Sequence, residues 1–96
     1  MKMFDLSDRI AIVSGAGGQL GKEYTRTLLQ AGARVVAADV NEFNLSVDDD
    51  LNDRLMQLPM DITSRSDMEK VLETVRSQWG VPSILVNNAA TDAPPG

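Results

Sequence analysis

Apolar residues fall into short runs and helical stripes that alternate along the chain. Residues 9–14 (RIAIVS) are β-branched and apolar almost throughout and stop at Gly15, the pattern of a strand buried on both faces. Over residues 18–31 the apolar positions Leu20, Tyr24, Leu28 and Ala31 recur at helical spacing, with Lys22, Glu23, Arg26 and Gln30 largely on other faces. Gly32 supplies the stop. Residues 33–39 (ARVVAAD) predict a second buried strand, and the acidic stretch 41–53 predicts a loop with a short or irregular helix. Residues 55–61 (LMQLPMD) read as a third, weaker strand that Pro59 moves toward a sheet edge. Over residues 64–79, Met68, Val71, Leu72, Val75 and Trp79 share one helical face, opened by a Ser64-x-x-Asp67 capping pattern and ended by Gly80 and Pro82. Ile84-Leu85-Val86 is a fourth strand, closed by Asn87-Asn88, and the end of the chain reads as loop.

Strands alternating with helices in this way predict an α/β fold, a parallel sheet with right-handed crossovers and helices on both faces. Ligands of such sheets bind outside the carboxyl ends of the strands. The glycine cluster of VSGAGGQLGKE, residues 13–23, falls at that end of the first strand. A glycine-rich turn opening a helix sets backbone N–H groups and the positive end of the helix dipole against a phosphate. Gly15 suits the tight turn, Gly18 a close approach of pyrophosphate, and Gly21 close packing of the helix. A P-loop is excluded, because Gly21-Lys22-Glu23 lacks the hydroxyl that binds magnesium. The Gly-x-Gly-x-x-Gly spacing fails too, since Gly15 and Gly17 would require glycine at Leu20. Asp39 strengthens the dinucleotide reading: it ends the second strand 18 residues after Gly21, near the roughly 20-residue offset at which a carboxylate grips a ribose hydroxyl.

Composition narrows the chemistry. Ninety-six residues form one domain at most. The net charge of −5 and pI near 4.4 disfavour nucleic acid and acidic membranes as partners. Cysteine and histidine are absent, which removes disulfides, thiolate metal sites and the commonest general base. No apolar run approaches the ~20 residues a bilayer requires. Residues 1–8 do not form a signal peptide, so the expected location is cytoplasmic. Asp48-Asp49-Asp50 reads as a solvated face and Trp79 as core.

These residues together resemble the short-chain dehydrogenase/reductase family over nearly the whole chain. Phe4-Asp5-Leu6 is similar to the family's opening, and residues 14–21 (SGAGGQLG) look like its Thr-Gly-x-x-x-Gly-x-Gly turn. Met60-Asp61-Ile62-Thr63 looks like its Asp-Val-Thr segment, and residues 84–90 (ILVNNAA) look like Leu-Val-Asn-Asn-Ala-Gly. The resemblance implies the N-terminal part of a Rossmann-type domain, with NAD as cofactor and an alcohol or carbonyl as substrate. It implies that Gly15, Ala16, Gly17, Gly18, Leu20 and Gly21 surround the adenosine ribose and pyrophosphate, and that Asp39 accepts from both adenosine ribose hydroxyls. Asp61 and the Ile62 N–H would meet the adenine, and Asn88, Ala89 and Ala90 would line the ribose on the nicotinamide side. A homo-oligomeric parent protein is implied as well.

Departures qualify the match. Gln19 stands where the standard branch has its middle glycine; Gly15, Gly18 and Gly21 fit the Gly-x-x-Gly-x-x-Gly spacing of the extended branch of sugar epimerases and dehydratases. The Asn87-Asn88-Ala89 run and the Asp61 segment favour the standard branch. Ala90 replaces a glycine. The family's chemistry rests on a serine and a Tyr-x-x-x-Lys pair, yet Tyr24 is the sole tyrosine and Leu28 stands four residues on. The expectation is therefore a cofactor half without its acid–base apparatus, truncated or part of a longer chain. The alternatives are a non-catalytic dinucleotide-binding module or an extended-branch sugar-nucleotide enzyme.

Overall fold

Side chains of successive strand residues point to opposite faces, so a strand apolar at every position needs cover on both. The computed structural model, which describes residues 5–41 and 43–88, meets that requirement over residues 10–14 and 35–38. Strands β1 (Ile10–Ser14), β2 (Arg34–Asp39), β3 (Leu55–Pro59) and β4 (Ile84–Asn87) alternate with helices α1 (Gln19–Gln30), α2 (Asp49–Asn52) and α3 (Arg65–Gln78). All neighbours are parallel, in the order β3-β2-β1-β4. Ile10, Ile12, Val36 and Ala38 face α3, where Val71 and Val75 complete one core. Ala11, Val13, Val35 and Ala37 face the other way, onto Leu29 of α1, with Leu51 of α2 packed alongside. Helices thus lie on both faces, and the two most buried strands occupy the centre.

Helix α1 buries a different stripe from the one its large apolar residues predict. Gly21, Thr25 and Leu29 are buried, whereas Leu20 is 56% and Tyr24 42% exposed. Close approach is the reason. A Cβ at Gly21 would overlap the Gly15 carbonyl oxygen and lie 2.7 Å from Ala16 Cα. Thr25 can sit in this tight seam because its hydroxyl donates to the Gly21 carbonyl at 2.8 Å. At the other end Gly32, at φ 105°, takes a left-handed conformation and donates to the Leu29 carbonyl. Arg54 then donates from one guanidinium nitrogen to the carbonyls of Leu29 and Ala33, at 2.9 and 2.7 Å.

Helix α3 opens as its capping pattern predicts, with Ser64 Oγ accepting from the Asp67 N–H at 3.2 Å. Val71 and Val75 are its buried residues, while Met68 and Leu72 are each 39% exposed. Trp79 is half-buried against the same core, with the Arg34 guanidinium carbon 5.9 Å from its ring centroid. Strand β3 takes the edge position that Pro59 predicts and ends there, with Met60 and Asp61 beyond the strand. Strand β4 forms the opposite edge. Ile84 and Val86 pack toward α1, but Leu85 is 66% exposed beside an apolar groove of about 320 Å³ shared with Met68, Leu72 and Pro82. Among the described residues no helix is long and apolar enough to cross a membrane.

Candidate functional site

The carboxyl ends of β1, β2 and β4 bring together three of the sequence-predicted segments. Gly15, at φ 66°, turns the chain out of β1 in a conformation that side chains resist. Ala16 is fully buried, and its N–H donates to the Ala38 carbonyl at 3.0 Å, which prolongs the β1–β2 pairing by one bond. Gly18 then becomes the N-cap of α1, and the first helical bond runs from the Lys22 N–H to its carbonyl.

The two helix starts of the larger helices contrast. At α3, Ser64 supplies a side-chain cap and Asp67 an acidic first turn. At α1 the cap residue has no side chain and the first turn has no acidic residue. The first turn of α1 therefore carries no group of its own that complements the positive end of the dipole. Gly18 has φ −77° and ψ 168°, which any residue could adopt. Among the described residues a Cβ there would touch only the Gly15 carbonyl oxygen, at an ordinary 3.6 Å. Neither backbone geometry nor packing among the described residues demands glycine at 18. Leu20, in the same first turn, is exposed.

Asp39, half-buried at the end of β2, closes over this turn. Its Oδ2 accepts from the Gly17 N–H at 2.8 Å and its Oδ1 from the Asn41 N–H at 2.9 Å. A Cβ at Gly17 would lie 2.9 Å from Asp39 Oδ2 and 3.0 Å from Phe43 Cβ, so this glycine makes room for the carboxylate and the ring. The contact pattern of the sequence does not reveal that role. Its one signal is Phe43, the lone aromatic of residues 41–53, four residues past Asp39.

From the far side, β4 is tied to the same turn. Ser14 Oγ donates to Asn87 Oδ1 at 3.0 Å, and Asn88 Nδ2 donates to the Gly15 carbonyl at 3.4 Å. Ala89 and Ala90, the remaining expected contacts of that segment, lie outside the described residues, as does Phe4 of the opening.

Asp61 stands beyond the end of β3. Its Oδ1 accepts from the Thr63 hydroxyl at 2.6 Å and from the Thr63 N–H at 2.9 Å. Those two bonds, the hydroxyl's first, hold its carboxyl below the ordinary aspartate value. The Asp61 N–H donates to Asp67 Oδ2 at 3.0 Å, so Asp67 braces Asp61 rather than closing a reciprocal capping box. Ile62 packs its side chain against the α3-side core. Asp48, Asp49 and Asp50 are exposed around the start of α2.

Comparison with known proteins fits this arrangement. A family described as short chain dehydrogenase matches residues 9–95. An NAD-dependent glycerol dehydrogenase from Listeria innocua is 33% identical over 92% of the chain and 35% of its own length. The 7alpha-hydroxysteroid dehydrogenase of Escherichia coli is 37% identical over 93% of the chain and 36% of its own length. The crystal structure of gox2181 superposes with a TM-score of 0.71 at 28% identity, covering 86% of this chain and 34% of that one. The chain thus spans about a third of the length of the curated relatives it matches. With the family's match running from the start of β1 to beyond β4 on a parallel sheet of the same architecture, the chain belongs to the short chain dehydrogenase family.

Proposed function

We propose that residues 1–96 are the N-terminal, dinucleotide-binding portion of an NAD-dependent oxidoreductase of this family. The observation that carries the reading is Gly18: the described residues leave the space over its Cα open at a helix N-terminus that has no side-chain cap. An anionic pyrophosphate suits such a place, because backbone N–H groups and the helix dipole both favour negative charge there. Gly15, Ala16, Gly17, Gly18, Leu20 and Gly21 would hold the adenosine ribose and pyrophosphate. Asp39 would accept from the ribose hydroxyls with lone pairs beyond those used by Gly17 and Asn41. Asp61 Oδ2, which accepts no hydrogen bond among the described residues, would meet an adenine amino group beside Ile62. Asn88, Ala89 and Ala90 would approach the nicotinamide side.

When bound, the nicotinamide would supply the hydride donor or acceptor for an alcohol–carbonyl pair. The chain's own residues bind and orient; they include no Tyr-x-x-x-Lys pair for the accompanying proton transfer. The whole protein would act on a small alcohol or carbonyl compound as a homo-oligomer in the cytoplasm. Relatives named for glycerol and hydroxysteroid oxidation support that substrate class.

NAD is preferred over NADP in this reading, since a carboxylate at Asp39 meets a 2′-phosphate as an unpaired like charge. Neither Gly18 nor Val40 offers a compensating cation. Calorimetric titration of the protein with both cofactors tests it. NAD should bind more tightly, and Asp39→Ser should cost roughly 1.5–3 kcal/mol of NAD affinity through two lost ribose hydrogen bonds. Tighter NADP binding by the unmutated protein refutes the reading.

A further inference from the structure

Between Asp39 and α2 the described residues form no helix or strand, yet Leu45 in the middle of this segment is only 3% exposed. Buried backbone needs partners for its N–H and C=O groups. Strand β3 provides them through a side chain rather than its own backbone. Gln57 Oε1 accepts from the Leu45 N–H at 3.3 Å, and Gln57 Nε2 donates to the Leu45 carbonyl at 3.4 Å. One carboxamide thus serves Leu45 as a neighbouring peptide would.

The consequence reaches the glycine turn. Phe43, two residues before Leu45, stands against Gly17, whose N–H is held by Asp39. Phe43, Gln57 and Asp39 line one hollow of about 260 Å³ at the carboxyl ends of β2 and β3. We infer that Gln57 is a positioning residue: by clipping Leu45 it keeps Phe43 against Gly17 and so keeps Asp39 Oδ2 on the Gly17 N–H. Without the clip, Leu45's polar groups must turn to water, and the segment carrying Phe43 lifts with them. The Asp39 carboxylate is then free to rotate away from the geometry in which it would receive a ribose. The consequence for ligand binding rests on the proposed cofactor role; the coupling of Gln57 to Gly17 does not.

Two readouts on the isotope-labelled chain separate these. Amide hydrogen exchange needs no ligand. In Gln57→Ala the Gly17 amide should lose about three- to tenfold of its protection, the factor that one net hydrogen bond represents, while Val13 and Val36 in the central strands keep theirs. Phe43→Ala should reproduce the loss. Gln57→Glu, which retains the acceptor for the Leu45 N–H and loses the donor, should fall between. Titration with ADP-ribose should show the dissociation constant rising in the same order. Unchanged protection at Gly17 in Gln57→Ala overturns the inference, as does a loss shared equally by Val13 and Val36. Failure of the unmutated chain to bind ADP-ribose would defeat the cofactor role alone, and the exchange result would still decide the role of Gln57.

Discussion

Two glycines three residues apart, Gly18 and Gly21, should respond to substitution in opposite ways. At Gly21 a methyl group would overlap the Gly15 carbonyl oxygen and crowd Ala16 Cα, both backbone atoms that cannot swing aside. Overpacking of this kind costs up to about 3 kcal/mol. Alanine recovers at most ~1 kcal/mol over glycine through helix propensity, less in the first turn. Gly21→Ala should therefore destabilise the chain by about 2 kcal/mol, a fall in Tm of roughly 8–16 °C for a domain of this size. At Gly18 the backbone is already extended and the nearest atom to a new Cβ is 3.6 Å away. Gly18→Val gives up a favourable N-cap residue, worth ~1 kcal/mol, and regains part of it, about 0.4–1 kcal/mol, by restricting the unfolded chain. Its Tm should stay within about 5 °C of the unmutated value. Its branched side chain would nevertheless fill the space through which a pyrophosphate reaches the helix N-terminus. Thermal melts by circular dichroism and NMR titration with NAD measure both properties. The expected pattern is a stable Gly18→Val that shows no NAD-dependent shifts. If Gly18→Val titrates like the unmutated chain, the glycines belong to a turn and nothing more. If Gly21→Ala melts normally, the close seam between α1 and the turn is not what fixes that residue.

Three further outcomes follow from other parts of the fold. Arg54→Met deprives the carbonyls of Leu29 and Ala33 of a charged donor, and should lower stability by about 1.5–3 kcal/mol in a chemical-denaturation midpoint; an unchanged midpoint refutes that role. The lowered pKa of Asp61 means that its bonds to Thr63 stabilise the fold above the unfolded aspartate value and cease to as pH falls through the lower, folded one. A Tm difference between the unmutated chain and Thr63→Val should thus be present at pH 6, begin to shrink as pH falls through about 4 and be lost as pH passes below the lowered folded value; a difference undiminished at pH 2 contradicts the linkage. Finally, the open edge of β4 and exposed Leu85 should make the 96-residue chain self-associate, in light scattering, in a concentration-dependent way that Leu85→Lys reduces. A monodisperse monomer at every concentration would show that this edge is harmless.

The elements were legible because their signals are local. β-branched runs mark β1 and β2, a Ser-x-x-Asp cap opens α3, and Pro59 marks β3 as an edge; each needs only neighbouring residues. The buried face of α1 was not legible, because hydrophobic periodicity weighs apolar size while this helix is seated by smallness. Gly21 and Thr25 bury because they permit contact, and Leu20 and Tyr24 are left outside because they do not. The glycine turn divides in the same way. Gly15 answers its own backbone angle and Gly21 the neighbouring turn, both within six residues. Gly17 answers Asp39 and Phe43, more than twenty residues away, a pairing that exists only once β2 lies beside β1. Gly18 answers nothing among the described residues. Glycine disfavours folding through its unfolded-state entropy, so a position where the fold neither uses its freedom nor needs its smallness calls for a cause outside the fold. At the end of α1, which has no side-chain cap, next to a carboxylate already aimed by two N–H groups, a phosphate with an adjoining sugar would supply that cause under the function proposed above.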